Sequence, residues 1–212
     1  MFNENDIVSL KVVLVGESGV GKTKIIRQYI DGIFDNNFQS NIGGSFCTKN
    51  INFGKKMVKL ELWDTAGQEK FRSLSKMFYT NSKIIIFVFD LMVKSSFEEL
   101  KKYWVDKVKE TTDNDVIFAV VGNNLDLYDE HELDDDDSVE EGEGRIYANS
   151  INALYFEVSW KNNSQIEDLF KRVTKKYLET HSTQIENNSN SIIISRWKRF
   201  SKWKFGKKRI FC

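Results

Sequence analysis

Apolar residues fall along this chain in short runs of two kinds. Leu10 to Val15 (broken only by Lys11), Ile84 to Phe89 and Val116 to Val121 are near-continuous apolar runs of strand length. Such runs are expected of parallel strands covered on both faces. Ser45 to Phe53 and Met57 to Trp63 read differently, because Val58, Leu60 and Leu62 alternate with Lys59 and Glu61. That period of two predicts a hairpin with one covered face, its turn at Gly54-Lys55-Lys56. Lys22 to Gly32 and Gln165 to Leu178 carry the helical period, and Ser138-Val139-Glu140-Glu141 has the form of a capping box that starts a further helix. Leu154 to Val158 is a last strand. The alternation predicts an α/β fold: a doubly wound, mostly parallel six-stranded sheet with helices on both faces and sites at the strand carboxyl ends.

Composition narrows this only a little. A chain of 212 residues that is 41% hydrophobic and 29% charged has room for one full core plus appendages. Its formal net charge of zero conceals an acidic run from Asp129 to Glu143 and a basic tail from Arg196 to Arg209. Cys47 and Cys212 cannot make a disulfide framework, and no run is apolar enough for a leader or a membrane span, which together predict a reducing compartment. With no proline in the chain, no polyproline linker is expected. His131 and His181 lie in polar segments without neighbours that would make either a metal ligand or a catalytic base.

The chemistry is concentrated at Gly16-Glu17-Ser18-Gly19-Val20-Gly21-Lys22-Thr23, which closes the first apolar run and opens the first helical one. Glycine, four free positions, then Gly-Lys-Thr is the P-loop pattern, in which backbone N–H groups at a helix N-terminus cradle phosphate. Gly16, Ser18, Gly19, Val20 and Gly21 are its backbone contacts, Lys22 reaches the β/γ-phosphates, and the Thr23 hydroxyl takes a magnesium position. At the end of the second hairpin strand stands Trp63-Asp64-Thr65-Ala66-Gly67-Gln68-Glu69. An aspartate there reads alone as a turn cap. After a P-loop it reads as a phosphate sensor, Asp64 holding magnesium through water while the Gly67 N–H meets the γ-phosphate.

Ile42-Gly43-Gly44-Ser45-Phe46, Lys59-Leu60-Glu61-Leu62-Trp63, Lys70-Phe71-Arg72-Ser73, Phe78-Tyr79 and Phe89-Asp90 followed by Lys94-Ser95-Ser96-Phe97 complete the picture. From about Leu10 to Leu178 the chain resembles a P-loop small GTPase of the Ras superfamily, and within it the Rab family. The resemblance implies GTP and GDP as ligands, Mg2+ as cofactor, and Gln68 as the residue that orients the attacking water, with Lys22 beside it in catalysis. It makes Phe46, Trp63 and Phe78 the aromatic trio through which effectors sense the nucleotide. Asn123-Asn124-Leu125-Asp126 takes the place of the family's Asn-Lys-x-Asp motif, and Ser159-Trp160-Lys161 that of Ser-Ala-Lys. Asp126 then offers two acceptors to guanine. Phe34 stands where the family stacks an aromatic on the base.

Three departures bear on nucleotide retention. Asn124 lacks the lysine stem that covers the base, Trp160 brings a bulky indole that is expected to crowd its loop, and Asn41 replaces the threonine that ligates magnesium in the first switch, with Ser40 as the alternative donor. Summed, they predict weak retention and spontaneous exchange. Two readings follow: a GTP-hydrolysing trafficking switch, or a hydrolysis-poor, constitutively loaded membrane adaptor.

Residues 1–180 are expected to form the GTPase domain and 181–212 a linker and tail. The linker, His181 to Ser191, is polar, and beyond it Ile193, Trp197, Phe200 and Trp203 follow helical spacing among lysines and arginines. Aromatics beside basic residues describe a membrane-surface segment, with nucleic acid and a merely solvated tail as the competing readings. The resemblance favours the membrane, not nucleic acid, with a prenyl group on Cys212. It further implies effector proteins, activating proteins and exchange factors as partners of a monomer at the cytoplasmic face of a membrane.

Overall fold

The computed structural model describes residues 7–32, 45–54, 56–64, 78–130 and 137–182. Its centre is β1 (Ile7–Val15), which pairs in parallel with β3 (Lys56–Asp64) on one side and with β4 (Ile84–Asp90) on the other. β4 pairs in parallel with β5 (Ile117–Asn123), and β5 with β6 (Leu154–Glu157). Among the described residues only β2 (Ser45–Phe53) runs antiparallel, against β3, through a hairpin whose Gly54 takes the left-handed φ of 60°. The six strands are ordered β2-β3-β1-β4-β5-β6. In β3, Val58, Leu60 and Leu62 are fully buried while Lys59 and Glu61 are half-exposed, as the alternation requires.

Successive side chains of a strand point to opposite faces, so each central strand feeds two cores. On one face Leu10, Val12, Leu14, Ile84, Ile86 and Val88 pack beneath α1 (Lys22–Asp31) and α5 (Asn163–Thr180). The two helices meet through Tyr29 and Phe170, whose rings stack with centroids 4.0 Å apart. On the other face Val13, Val15, Ile85, Phe87 and Phe89 pack beneath α2 (residues 94–109) and α4 (Glu143–Ser150). α2 spans residues 94–109 as Lys94–Glu99, a π-turn at Leu100–Trp104, and Val105–Lys109. A short α3 (Leu125–Asp129) follows β5. No helix among the described residues is long and apolar enough to cross a membrane.

Two expectations are corrected. Ser138 does not cap a helix: α4 begins at Glu143, behind a left-handed Gly142. The reason is tertiary, because Val139 is buried, donates its N–H to the Leu91 carbonyl at 2.9 Å and accepts the Tyr128 hydroxyl at 2.9 Å. Those bonds fix Val139 to two other parts of the chain, and Glu143 N–H pairs with the Glu140 carbonyl at 3.1 Å in a turn instead of with Val139. His181 likewise does not open a free linker. It is buried at the end of α5, its ring stacked on Tyr177 at 4.1 Å and its Nδ1 2.9 Å from the Tyr177 carbonyl.

Phe170 is fully buried at the seam between α1, α5 and the sheet. Phe170→Ala is expected to lower the unfolding free energy by about 3–5 kcal/mol, measured by urea denaturation, because it removes the stacked ring and leaves a cavity.

Candidate functional site

The carboxyl end of β1 delivers residues 16–21, and α1 leaves them. A Cβ on Gly16 would stand 2.0 Å from the Val88 carbonyl oxygen, and one on Gly21 would stand 2.2 Å from Asn123 Nδ2. Both positions therefore require glycine, and Gly21 further adopts a φ of 96°. Gly21 offers no side-chain cap to α1 and the first turn of the helix holds no acid, so its positive dipole end is disposed to receive an anion. Ser18 and Gly19 are exposed at the tip of this loop, and Val20 anchors it in the core. Lys22 is buried and its ammonium donates to the carbonyls of Gly16 at 2.8 Å and Glu17 at 2.6 Å.

Beside the loop, Thr23 Oγ1 donates to Asp64 Oδ2 at 2.6 Å, which joins α1 to the end of β3. The hydroxyl keeps lone pairs and the carboxylate keeps a second oxygen, a donor set suited to a hard divalent cation. Among the described residues no group of three or more His, Cys, Asp or Glu could cage a metal ion. Thr23 and Asp64 alone leave most of an octahedral shell to phosphate oxygens, water and other ligands, as suits magnesium bound with a nucleotide.

The ends of β5 and β6 form the other half of the site. Asn123 is fully buried, donates from Nδ2 to the Val20 carbonyl at 2.9 Å and accepts the Trp160 N–H on Oδ1 at 3.1 Å. Asn124 adopts a φ of 66°, which asparagine tolerates, and donates from Nδ2 to Asp90 Oδ2 at 2.8 Å. Burial pushes the Asp90 carboxyl up, against the bonds from Met92 N–H and Asn124. Asp126 accepts Ser159 Oγ on Oδ1 and Lys161 Nζ on Oδ2, each at 2.7 Å. Ser159 is itself fixed, its N–H donating to Gln165 Oε1 at 2.8 Å. Burial raises the Asp126 carboxyl, but the bonds from Lys161 and Ser159 and the charge of Lys161 outweigh it and hold the group below its usual range.

The crowding expected at Trp160 does not displace the loop. The indole packs into the core cluster that also holds Val20, Ile25 and Ile166, while its backbone stays on Asn123. Lys24 places its ammonium 4.4 Å from the Trp160 ring centroid. At the sheet edge Phe46, half-exposed, stands 5.1 Å from Trp63, and Trp63 6.4 Å from Phe78, so the three aromatics are contiguous. Phe34, Ser40, Asn41, Gly67, Gln68 and Cys212 lie outside the described residues. Gln165 was not singled out from sequence, and Asp90 stood only within the Phe89-Asp90 signature: an aspartate at a strand end and a glutamine in a first helical turn do not tell which loop they will hold.

The pH dependence of Asp126 has a definite sign. Its folded pKa lies below the ordinary 3.8, so its contribution to stability is present above that value and is lost as the pH falls through the folded pKa. Urea titrations of the nucleotide-free protein between about pH 5 and pH 2 are expected to show an acid limb that Asp126→Asn makes shallower.

The family model described as Ras family matches residues 11–179. Ras-related protein Rab-31 of Homo sapiens is 39% identical over 189 residues, covering 88% of this chain and 91% of that protein. Rab-31 of Rattus norvegicus is 41% identical over 170 residues, 80% of this chain and 84% of that one. Ras-related protein Rab-21 of Homo sapiens is 38% identical over 172 residues, 81% of this chain and 73% of that one. The match spans both halves of the site just described, from β1 to the end of α5, and the chain belongs to the Rab family of small GTPases within the Ras superfamily.

Proposed function

We propose that this chain is a guanine-nucleotide switch that binds GTP with Mg2+ in the groove between the P-loop and the loops after β5 and β6, hydrolyses it slowly, and recruits trafficking effectors while GTP is bound. The observation that carries the reading is the continuity of the site. One buried side chain, Asn123, joins the phosphate-binding loop to the loop of Trp160, beside which Ser159 and Lys161 hold Asp126. An ionised Asp126 presents acceptors to the N1–H and exocyclic amine of guanine, which adenine cannot reciprocate.

In hydrolysis, water attacks the γ-phosphorus and GDP departs with the bridging electrons. The α1 N-terminus and Lys22 supply fixed positive potential where that charge grows. Bound magnesium would supply charge neutralisation to the phosphates. Thr23 and Asp64 are the residues to hold it, with Asn41 as the first-switch ligand, and the Gly67 N–H meets the γ-phosphate. Gln68 orients the water, and Phe34 stacks on the base. A slow intrinsic rate follows from having positioning residues and no arginine assigned to the transition state, so an activating protein would supply one. Phe46, Trp63 and Phe78 form the face that effectors read.

The second reading, a constitutively loaded adaptor, rests on Asn41, Asn124 and Trp160. The hydrogen bonds that hold Asn124 on Asp90 and the Trp160 N–H on Asn123 support the switch instead. We place the protein on the cytoplasmic face of a membrane, held by the basic and aromatic tail together with a prenyl group on Cys212, since one lipid chain alone binds only marginally.

In single-turnover assays with an activating protein, Gln68→Leu is expected to remove the stimulated hydrolysis while leaving nucleotide binding intact. A wild type that the activator does not accelerate above Gln68→Leu would favour the adaptor. For the tail, the unlipidated full chain is expected to bind anionic vesicles and to be released by salt, and a truncation ending at Ser191 is expected to lose both vesicle binding and membrane retention in cells.

A further inference from the structure

Trp160 carries a cation on its ring. Lys24 Nζ lies 4.4 Å from the centroid and Lys161 Nζ 6.0 Å from it. Lys24 belongs to the first turn of α1, directly after Thr23, on the element that faces phosphate. Trp160 stands between Ser159 and Lys161, the two residues that hold Asp126. The contact therefore joins the phosphate-binding helix to the loop that faces the base. The indole is buried as part of the core cluster that also holds Val20 and Ile25, so swinging it away would open the core. Lys24 is exposed and free of that constraint. Its charge also acts on the Asp90 carboxylate, which accepts Asn124. One cation thus contacts Trp160 directly and adds its charge beside the carboxylate that holds Asn124.

We propose that Lys24 and Trp160 form a cation–π clamp that holds the guanine loops against α1 and slows nucleotide release, compensating for the lysine that Asn124 replaces. The inference rests on the groove being a guanine-nucleotide site. Release requires the base-facing loops and the phosphate-binding helix to part, and a cross-link between them raises that barrier. Tryptophan offers the strongest ring for such a contact, and the alanine of the family pattern offers none. The consequence reverses the sign expected from bulk alone: Trp160 retains nucleotide instead of expelling it.

The test is the release rate of a fluorescent GDP analogue from the full chain at fixed magnesium, for wild type, Lys24→Met, Lys24→Arg, Trp160→Leu and the Lys24→Met/Trp160→Leu double variant. Lys24→Met keeps the aliphatic stem and is expected to release about two- to fivefold faster, the factor to which an exposed cation–π contact corresponds. Lys24→Arg is expected to restore the wild-type rate, because a guanidinium also stacks on an indole. In the Trp160→Leu background Lys24→Met is expected to change nothing. Release from Lys24→Met at the wild-type rate, or the same acceleration in both backgrounds, would overturn the clamp and leave the nucleotide reading intact. A wild type that takes up no GDP analogue would overturn both. Unfolding of the nucleotide-free proteins is read in parallel, and a loss in Lys24→Met as large as its effect on release would overturn the clamp in favour of general loosening.

Discussion

A fully buried amide at the end of β5 is the constraint on which the rest of the site depends. Asn123 must satisfy a donor and an acceptor away from water, and it finds the Val20 carbonyl for one and the Trp160 N–H for the other. An unpaired amide there would be costly, so the loops after β1 and β6 are drawn onto the same residue. Gly21 follows from this, since any Cβ would collide with the Asn123 amide. The arrangement ties three strand ends into one unit before any ligand arrives. Preorganisation of this kind spares binding the entropy of ordering loops.

Much of the fold was legible because its strands are of two compositional kinds. Ile84 to Phe89 is apolar throughout and proved to be buried on both faces, whereas Val58, Leu60 and Leu62 alternate with charge and bury one face. The P-loop was legible for the same local reason: glycines, lysine and threonine act within eight residues of one another. Ser138 was misread because a capping box is a local pattern, and Val139 is held by Leu91 and Tyr128, residues outside that pattern. The pairing of Asn124 with Asp90 was invisible for a similar reason, since it spans 34 residues and is created by the adjacency of β4 and β5.

Bulk and polarity trade places at the two departures in the guanine loops. An indole in the position of a small residue is absorbed by the core on one side and by Lys24 on the other. An asparagine in the position of a long cation is absorbed by a left-handed turn and a half-buried carboxylate. Neither substitution can be judged from its own size or charge. Each has to be read with the neighbour that the fold puts beside it.

The π-turn of α2 carries a consequence for how this helix tolerates change in length. Widening one turn at Leu100–Trp104 accommodates a residue that a regular α-helix would not hold, and Trp104, at its end, donates its indole N–H to Glu17 of the P-loop at 3.1 Å. Deleting one residue from this turn would restore α geometry and rotate the two halves of α2 about 100° relative to one another. Val105 and Val108 would then leave the sheet, or Phe97 would. The extra residue is thus a phase correction between two halves of one helix, and insertions or deletions there should be far rarer than substitutions.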